Sequence, residues 1–163
     1  RTIPMLPERL CNFICSLRPD EEKLAYSTIF VLNEKAEIVR WHLTHTVIRS
    51  NRRFTYEEVQ NILERNNEAS KEDLALPGEH PEPLPEGASL EGEYAEELIK
   101  LNQLAKKLRA ARFKNGAIGF ERSEVRFEVD EKGHPISTYV KVAKDANKLV
   151  EEFMLLANAV WPK

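Results

Sequence analysis

Residues 23–48, with the sequence KLAYSTIFVLNEKAEIVRWHLTHTVI, decide the fold class. The run at 23–32 is dense in apolar and β-branched side chains and predicts a well-buried strand. The polar residues 33–36 predict a turn, and in the run that follows apolar and polar residues alternate. The apolar members of that second run are Val39, Trp41, Leu43 and Val47. Such alternation is typical of a half-solvated antiparallel strand, so the stretch predicts a β-hairpin.

Downstream of the hairpin, the sequence predicts helices. Thr55 and Glu58 have the spacing of a capping box, which predicts a helix that begins directly after Thr55. Residues 94–113 carry leucines at helical spacing and predict a long amphipathic helix. Residues 145–160 are apolar on nearly every side, which predicts a helix at the centre of the fold.

Two further segments predict strands. The sequences EVRFEV at 124–129 and ISTYVKV at 136–142 flank a turn and predict a second hairpin. The segment GAIGF at 116–120 predicts a short strand. The pattern as a whole predicts one α+β domain over residues 1–163, in which antiparallel β-hairpins pack against helices.

The composition limits the classes of function. The chain has 163 residues, of which 42% are hydrophobic and 31% are charged, with a net charge of -3. No apolar run approaches the roughly 20 residues that a membrane span needs, so we expect no membrane contact. Nucleic-acid binding would have to come from a local basic cluster, since the total charge is acidic. Residues 67–93 are rich in Glu and Pro and predict a mobile acidic loop.

A basic cluster lies in the sequence RSNRRFTY at 49–56. Its arginines are Arg49, Arg52 and Arg53. Guanidinium groups pair with phosphates, aromatic rings stack on bases, and a helix N-terminus favours anions. The alternative is a solvated loop in which Phe54 packs locally and the arginines pair with the glutamates that follow. The residues alone favour this alternative, because basic clusters are common on protein surfaces.

Two other positions are candidates for contact with a ligand. Glu151 shares a stripe of the closing helix with Asn147 and Asn158, and its carboxylate could accept a hydrogen bond from a sugar hydroxyl. Alternatively, the stripe satisfies backbone groups or faces water, and the residues alone leave both readings open. Phe120 could present a ring to a ligand, although a lone phenylalanine in a strand is more often part of a core.

No active site can be assigned from the residues. His42 and His45 would point to opposite faces of a strand, so they are poor partners for one metal ion. The aspartates are scattered along the chain, whereas a magnesium nuclease needs several carboxylates at one point. Glutamates could in principle form such a site, so the residues alone assign neither catalytic residues nor metal ligands in this chain.

Four blocks of sequence resemble the catalytic region of the bacterial ribonuclease R and ribonuclease II family. They are IPMLPERLCNFICSLRP, VIRSNRRFTYEEVQNIL, GAIGFERSEVRFEVDEKGHP and KLVEEFMLLAN. Their order and spacing agree with that family from Ile3 to Asn158, apart from the acidic loop, where the family varies in length, and the closing AVWPK does not resemble the family's usual continuation. The resemblance implies a partial RNB catalytic domain, from a processive enzyme that hydrolyses single-stranded RNA from the 3′ end to nucleoside 5′-monophosphates.

The resemblance also implies where the chemistry lies. That family uses Mg²⁺ held by an aspartate cluster, which would precede Arg1, and an arginine-rich motif that would follow Lys163. We therefore expect the 163-residue chain alone to be inactive and to hold no metal or small-molecule cofactor. The family's pattern assigns Tyr56 to the ribose, Glu151 to a 2′-hydroxyl and Phe120 to stacking on the terminal base.

Other expectations complete the hypothesis. We assign Arg49, Arg52 and Arg53 to phosphate contacts, and we expect single-stranded RNA as the partner and a cytoplasmic location. Unpaired strand edges lead us to expect self-association of the chain. The competing hypotheses are a non-catalytic RNA-binding or interaction module, and an unrelated α+β domain with an incidental basic cluster.

Overall fold

The computed structural model describes residues 5–70, 92–119, 124–130, 134–141 and 143–160. These residues form strands β1 (Glu22–Leu32), β2 (Ile38–Arg49), β3 (Glu124–Val129) and β4 (Pro135–Lys141), helices α1 (Tyr56–Arg65), α2 (Ala95–Lys114) and α3 (Asp145–Val160), and a π-helical turn, Leu10–Ile14. The acidic loop predicted at 67–93 lies outside the described residues except at its two ends.

The chain divides into two compact units. The first comprises Arg1–Asn33 and Glu37–Thr55, and the second comprises Glu34–Ala36 and Tyr56–Lys163. The predicted hairpin of β1 and β2 belongs to the first unit, and the three α-helices and the second hairpin belong to the second.

The first hairpin is antiparallel, as the sequence pattern predicts, and its register shifts between Val31 and Leu32. Tyr26 lies opposite His45, and their rings are 4.8 Å apart between centroids. The hydroxyls of Ser27 and Thr46 are 2.6 Å apart, which joins the two strands on their polar side. At the turn, the Asn33 side chain accepts a hydrogen bond from the backbone N–H of Glu37 at 2.9 Å. Local polar contacts thus fix both the middle and the end of the hairpin.

The burial of this hairpin differs from the prediction. Strand β1 was expected to be well buried, but its residues alternate between exposed and half-buried, and Leu24 is 88% exposed. In β2, Trp41 and Val47 are exposed, while Leu43 is half-buried. The reason is that a two-stranded sheet covers neither of its own faces, and the described part of this unit contains no second sheet or long helix.

The core of the second unit lies among its three α-helices, all of which contact one another. Its buried apolar side chains are few and mostly small. They are Ala36, Leu63, Ala95, Ile99, Ala105 and Ala146. Five polar residues are buried with them, namely Gln60, Glu64, Asn102, Asp145 and Glu152. Buried polar groups must find partners, so hydrogen bonds and ion pairs hold these helices together along with apolar packing.

Two predicted helical faces differ from the observed ones. The buried face of α2 runs through Ala95, Ile99, Asn102 and Ala105, whereas Leu101, expected on the core-facing stripe, is 38% exposed. Asn102 occupies the centre because its side-chain amide donates to the carbonyl of Glu68 at 3.3 Å. Helix α3 is not buried on all sides either. Its buried residues are Asp145, Ala146 and Glu152, and Met154 is 60% exposed.

Gly116 follows the C-terminal end of α2, where the backbone needs a positive φ. The N–H of Ala117 bonds to the carbonyl of Arg112 at 3.2 Å and the N–H of Gly116 to that of Phe113 at 3.0 Å. This is the Schellman pattern, which places the glycine at a positive φ, here 91°. The strand predicted at 116–120 is therefore wrong for its described part, since Gly116 ends a helix and Ala117–Gly119 is irregular.

The second hairpin agrees with the prediction. Strands β3 and β4 are antiparallel, with Val125 opposite Val140 and a register shift between Glu128 and Val129. The α+β class and the antiparallel hairpins predicted from the sequence are confirmed. None of the helices in the described ranges is long and apolar enough to cross a membrane.

Candidate nucleic-acid interface

Tyr56 is the first residue of α1, as the capping pattern at Thr55 predicts. Its side chain is 47% exposed. Within the described part of the chain, the phenol makes no hydrogen bond, so its ring and hydroxyl are open to a ligand. The glutamates of the first helical turn, Glu57 and Glu58, suit the positive end of the helix dipole.

The helical face that carries Tyr56 is anchored to the start of α3. Gln60 and Glu64 follow at intervals of four and share this face. The Gln60 side chain donates to Glu64 Oε1 at 2.9 Å and accepts from the backbone N–H of Ala146 at 3.2 Å. Lys144 Nζ lies 3.6 Å from the same Glu64 oxygen. These buried contacts fix the orientation of α1, and with it the position of Tyr56.

Glu151 lies on α3 with its side chain 51% exposed. Arg112, near the end of α2, donates from Nη2 to Glu151 Oε1 at 3.3 Å. The neighbouring Glu152 is buried, with its side chain only 3% exposed, and takes hydrogen bonds from Nε and Nη2 of the same arginine. These hydrogen bonds are the main cause that raises the pKa of Arg112 above its ordinary value. The arginine therefore stays charged at any working pH.

Phe120 lies outside the described residues, so its predicted stacking role stays a prediction. Its neighbour Gly119 is described. A Cβ atom at Gly119 would lie 3.2 Å from Cε1 of Phe113, which shows a close approach of the backbone to that ring. The guanidinium carbons of Arg109 and Arg112 lie over the Phe113 ring at 5.0 and 5.2 Å. The backbone at Gly119 and the two arginines thus contact the same Phe113 ring.

The basic cluster belongs to the first unit. Arg49 ends β2 and lies 3.8 Å from Asp20, with its side chain 64% exposed. The guanidinium of Arg52 lies 5.0 Å from the ring centre of Phe54, and Arg53 is exposed. The arginines thus retain exposed charge, but part of it is balanced by local contacts.

The predicted site residues are only partly brought together. Tyr56 and Glu151 lie on contacting helices of one unit, although no hydrogen bond or ion pair joins them among the described residues. The three arginines belong to the other unit. The convergence of these side chains on one groove therefore stays a prediction.

A cavity of about 250 Å³ was not anticipated from the sequence. It lies between α2 and the start of α3, and its charged lining residues are Lys106, Arg109, Asp145, Lys148 and Glu152. The two carboxylates are paired with two of the cations, since Lys106 Nζ is 3.5 Å from Asp145 and Arg109 Nη1 is 3.5 Å from Glu152. The cavity lining therefore carries three cations and two carboxylates, and each carboxylate is paired with a cation.

Arg112 and Glu152 were also missed by the sequence reasoning. A signal was present, because Glu152 stands beside Glu151 in the otherwise apolar sequence LVEEFMLL. Adjacent residues of a helix point about 100° apart, so one of two neighbouring glutamates in an apolar helix can lie on the buried face, where a carboxylate needs a cation. No group of three or more His, Cys, Asp or Glu side chains that could hold a metal ion occurs in the described ranges.

Known proteins match this chain over almost its whole length. The sequence profile of the family described as RNB domain matches residues 1–163. The DIS3-like exonuclease 2 of Caenorhabditis elegans is 37% identical over 156 residues, which are 96% of this chain and 18% of that protein. The exosome complex exonuclease RRP44 of Mus musculus is 36% identical over 159 residues, which are 97% of this chain and 14% of that protein.

A solved structure is similar as well. Mycoplasma genitalium RNase R, in complex with ribose methylated single-stranded RNA, has a TM-score of 0.72 and 27% sequence identity to this chain. The match covers 95% of this chain and 21% of that one. The chain thus spans between 14% and 21% of the length of these relatives.

Proposed function

The chain belongs to the RNB domain family, and from that membership we propose that it forms the central part of the catalytic domain of a processive exoribonuclease. The full-length protein hydrolyses single-stranded RNA from the 3′ end and releases nucleoside 5′-monophosphates. The match of the family profile to the entire chain carries the proposal. The resemblance to the ribonuclease R and II family, inferred from four sequence blocks, is confirmed by this match and by the similarity to RNase R.

The nature of the relatives supports the reaction. Two are named as exonucleases, and a third is an RNase R whose structure holds single-stranded RNA. Single-stranded RNA is therefore the partner that we propose for this chain.

The role of this chain is to bind and orient the strand. Glu151 accepts a hydrogen bond from a ribose 2′-hydroxyl, which DNA lacks. Tyr56 lies against a ribose, and its exposed phenol at the start of a helix supports that role. Phe120 stacks on the terminal base.

Phosphate contacts complete the proposed binding surface. Arg49, Arg52 and Arg53 neutralise phosphates, as their exposed positions allow. RNB nucleases depend on a divalent metal, and we propose that this metal is Mg²⁺ in the full-length protein. The described residues do not fit such an ion, so no step is assigned to a metal on this chain. We place the protein in the cytoplasm, where RNA is degraded.

The test uses the full-length protein and RNA that is labelled at its 5′ end, to follow strand length, and in its internal phosphates, to detect the released nucleotides. We expect nucleoside 5′-monophosphates as products, with no accumulation of intermediate lengths, as processive cleavage from the 3′ end requires. Chelation of divalent metal abolishes the release, and added Mg²⁺ restores it. A strand of the same sequence blocked at its 3′ end is the control and stays intact.

Binding without release of nucleotides would contradict the proposed reaction and support the non-catalytic RNA-binding module. Cleavage inside the blocked strand would exclude an exonuclease. Failure to bind single-stranded RNA at any salt concentration would exclude both functions.

A further inference from the structure

One arginine contacts two adjacent carboxylates that differ sharply in burial. Arg112 donates to Glu151, whose side chain is 51% exposed, and to Glu152, whose side chain is 3% exposed. The contacts run from Nη2 to Glu151 Oε1 at 3.3 Å and from Nε to Glu152 Oε2 at 3.1 Å. Nη2 also donates to Glu152 Oε1. A single guanidinium thus links a buried group to the exposed carboxylate proposed to contact RNA.

The buried contact fixes the arginine. Glu152 takes two parallel hydrogen bonds from the planar guanidinium, an arrangement that sets direction as well as distance. Arg109 Nη1 lies 3.5 Å from the same carboxylate and balances its remaining charge. The guanidinium of Arg112 also lies over the Phe113 ring at 5.2 Å. Arg112 is therefore a fixed cation and not a mobile surface side chain.

The fixed cation restricts Glu151 in turn. Its Oε1 atom is held by Arg112, whereas Oε2 has no hydrogen-bond partner among the described residues. An exposed glutamate without such a contact samples several rotamers, and ordering it on binding lowers affinity. Holding one oxygen leaves the other as an acceptor in a defined position.

We propose that Arg112 and Glu152 are positioning residues for the recognition of RNA. Glu152 holds Arg112, and Arg112 holds Oε1 of Glu151 so that Oε2 accepts the hydrogen bond of a ribose 2′-hydroxyl. The inference rests on the proposed function of Glu151 and adds the residues through which that function depends on the core of the second unit. Neither positioning residue contacts the substrate.

The experiment measures kcat/KM of the full-length protein for an RNA strand and for the same strand with 2′-deoxyriboses. The readout is kcat/KM for RNA divided by kcat/KM for the deoxy strand. A merely structural defect would not change this ratio, because it would lower kcat/KM equally for both substrates. We expect E151Q to lower the ratio about tenfold and R112Q to lower it about threefold to tenfold. R112K keeps the positive charge but lacks the two parallel N–H donors of the guanidinium. Its ratio should therefore lie between those of R112Q and the unsubstituted protein.

Two further variants complete the design. In the E151Q background, R112Q causes no additional loss of the ratio, because both changes act through one hydrogen bond. K106Q removes a cation of the same helix that pairs with Asp145 and not with Glu151, and it leaves the ratio unchanged. If R112Q fails to fold because Glu152 is left unpaired, R112M/E152L removes both charges together, a change that buried ion pairs tolerate.

The outcomes separate the two proposals. An unchanged ratio in E151Q contradicts the role of Glu151 itself. A lowered ratio in E151Q with an unchanged ratio in R112Q and in R112M/E152L overturns the positioning role alone. A raised ratio in R112Q also overturns it, since Arg112 would then compete with the ribose for the carboxylate.

Discussion

Asp145 at the start of α3 accepts two hydrogen bonds from Ser70, which lies 75 positions earlier in the sequence. The backbone N–H of Ser70 donates to Oδ2 at 2.6 Å and its hydroxyl donates to Oδ1 at 2.9 Å. Lys106 of α2 lies 3.5 Å from the same carboxylate, which is only 4% exposed. One buried carboxylate therefore ties the start of α3 to α2 and to the segment that follows α1.

We expect Asp145→Ala to weaken this part of the fold. Removal of the carboxylate leaves the two donors of Ser70 without their buried acceptor, which costs about 3 kcal/mol. Lys106 loses one of two contacts, since its Nζ also donates to the carbonyl of Glu68. Ser70→Ala removes only the hydroxyl contact and costs about 1 kcal/mol. Amide hydrogen exchange of α3 in the full-length protein measures both losses. If α3 in Asp145→Ala kept the hydrogen-exchange protection that it has in the unsubstituted protein, the carboxylate would not tie these segments together.

Secondary structure followed from short-range patterns in the sequence. The alternation in residues 38–47 and the polar turn before it were enough to predict the first hairpin, whose strands end at Leu32 and begin at Ile38. The capping pattern at Thr55 placed the start of α1 at Tyr56. These features depend on residues close in sequence, where backbone geometry leaves few choices.

Long-range polar contacts did not follow from the sequence. The carboxylate of Asp145 accepts hydrogen bonds from Ser70, which lies 75 positions earlier in the sequence. Arg112 finds Glu152 at a distance of 40 positions. A chain with 24 basic and 27 acidic residues offers very many such pairs, and only the packing of the helices selects among them. The roles of Tyr56, Phe120 and Glu151 were therefore predicted from the family resemblance, whereas the contacts of Arg112 and Glu152 came only from the structure.

Tyr56→Ala should reduce the preference of the full-length protein for RNA over DNA. The exposed ring at the start of α1 is proposed to lie against a ribose, so its loss weakens contacts that depend on the sugar. We expect a loss of about threefold to tenfold in the ratio of the two dissociation constants. Tyr26→Ala is a matched control, since Tyr26 is also 47% exposed but lies on β1. An equal loss in both variants would point to a general effect of surface aromatics.

Replacing Arg52 and Arg53 by Gln should make RNA binding less sensitive to salt. Each phosphate contact of a single strand contributes about 0.7 to the slope of log K against log salt concentration. The double variant should therefore lose about 1.4 from that slope if both arginines contact phosphates. Arg40→Gln removes an exposed arginine of β2 outside the cluster and serves as the control. A slope that falls equally in the control would show that the cluster has no special role.

Gly92→Ala should lower the free energy of unfolding of the second unit. Gly92 has a φ of 117°, and a Cβ atom there would lie 3.1 Å from Cγ1 of Ile62. Backbone strain and the contact together cost about 3 kcal/mol. Gly116→Ala separates the two causes, because Gly116 has a φ of 91° but no heavy atom within 4 Å of the added carbon. We expect about 1 kcal/mol for that variant in urea unfolding followed by circular dichroism. If the two variants lost equal free energy of unfolding, the side chain of Ile62 would have to move away from the new methyl group without cost.

The isolated chain should self-associate through its first hairpin. Leu24 and Val47 lie opposite each other on β1 and β2 and are 88% and 64% exposed. Each strand also has an outer edge that pairs with no other strand in the described part of the chain, and such edges recruit further strands.

We expect the mass measured by analytical ultracentrifugation to rise with concentration. The double variant L24K/V47E places charge beside both edges and should restore a monomer, because charged side chains oppose pairing between edges. Leu17→Lys, at a position 56% exposed outside the strands, should not restore it. A monomer at all concentrations, or association that persists in L24K/V47E, would contradict the role of the hairpin.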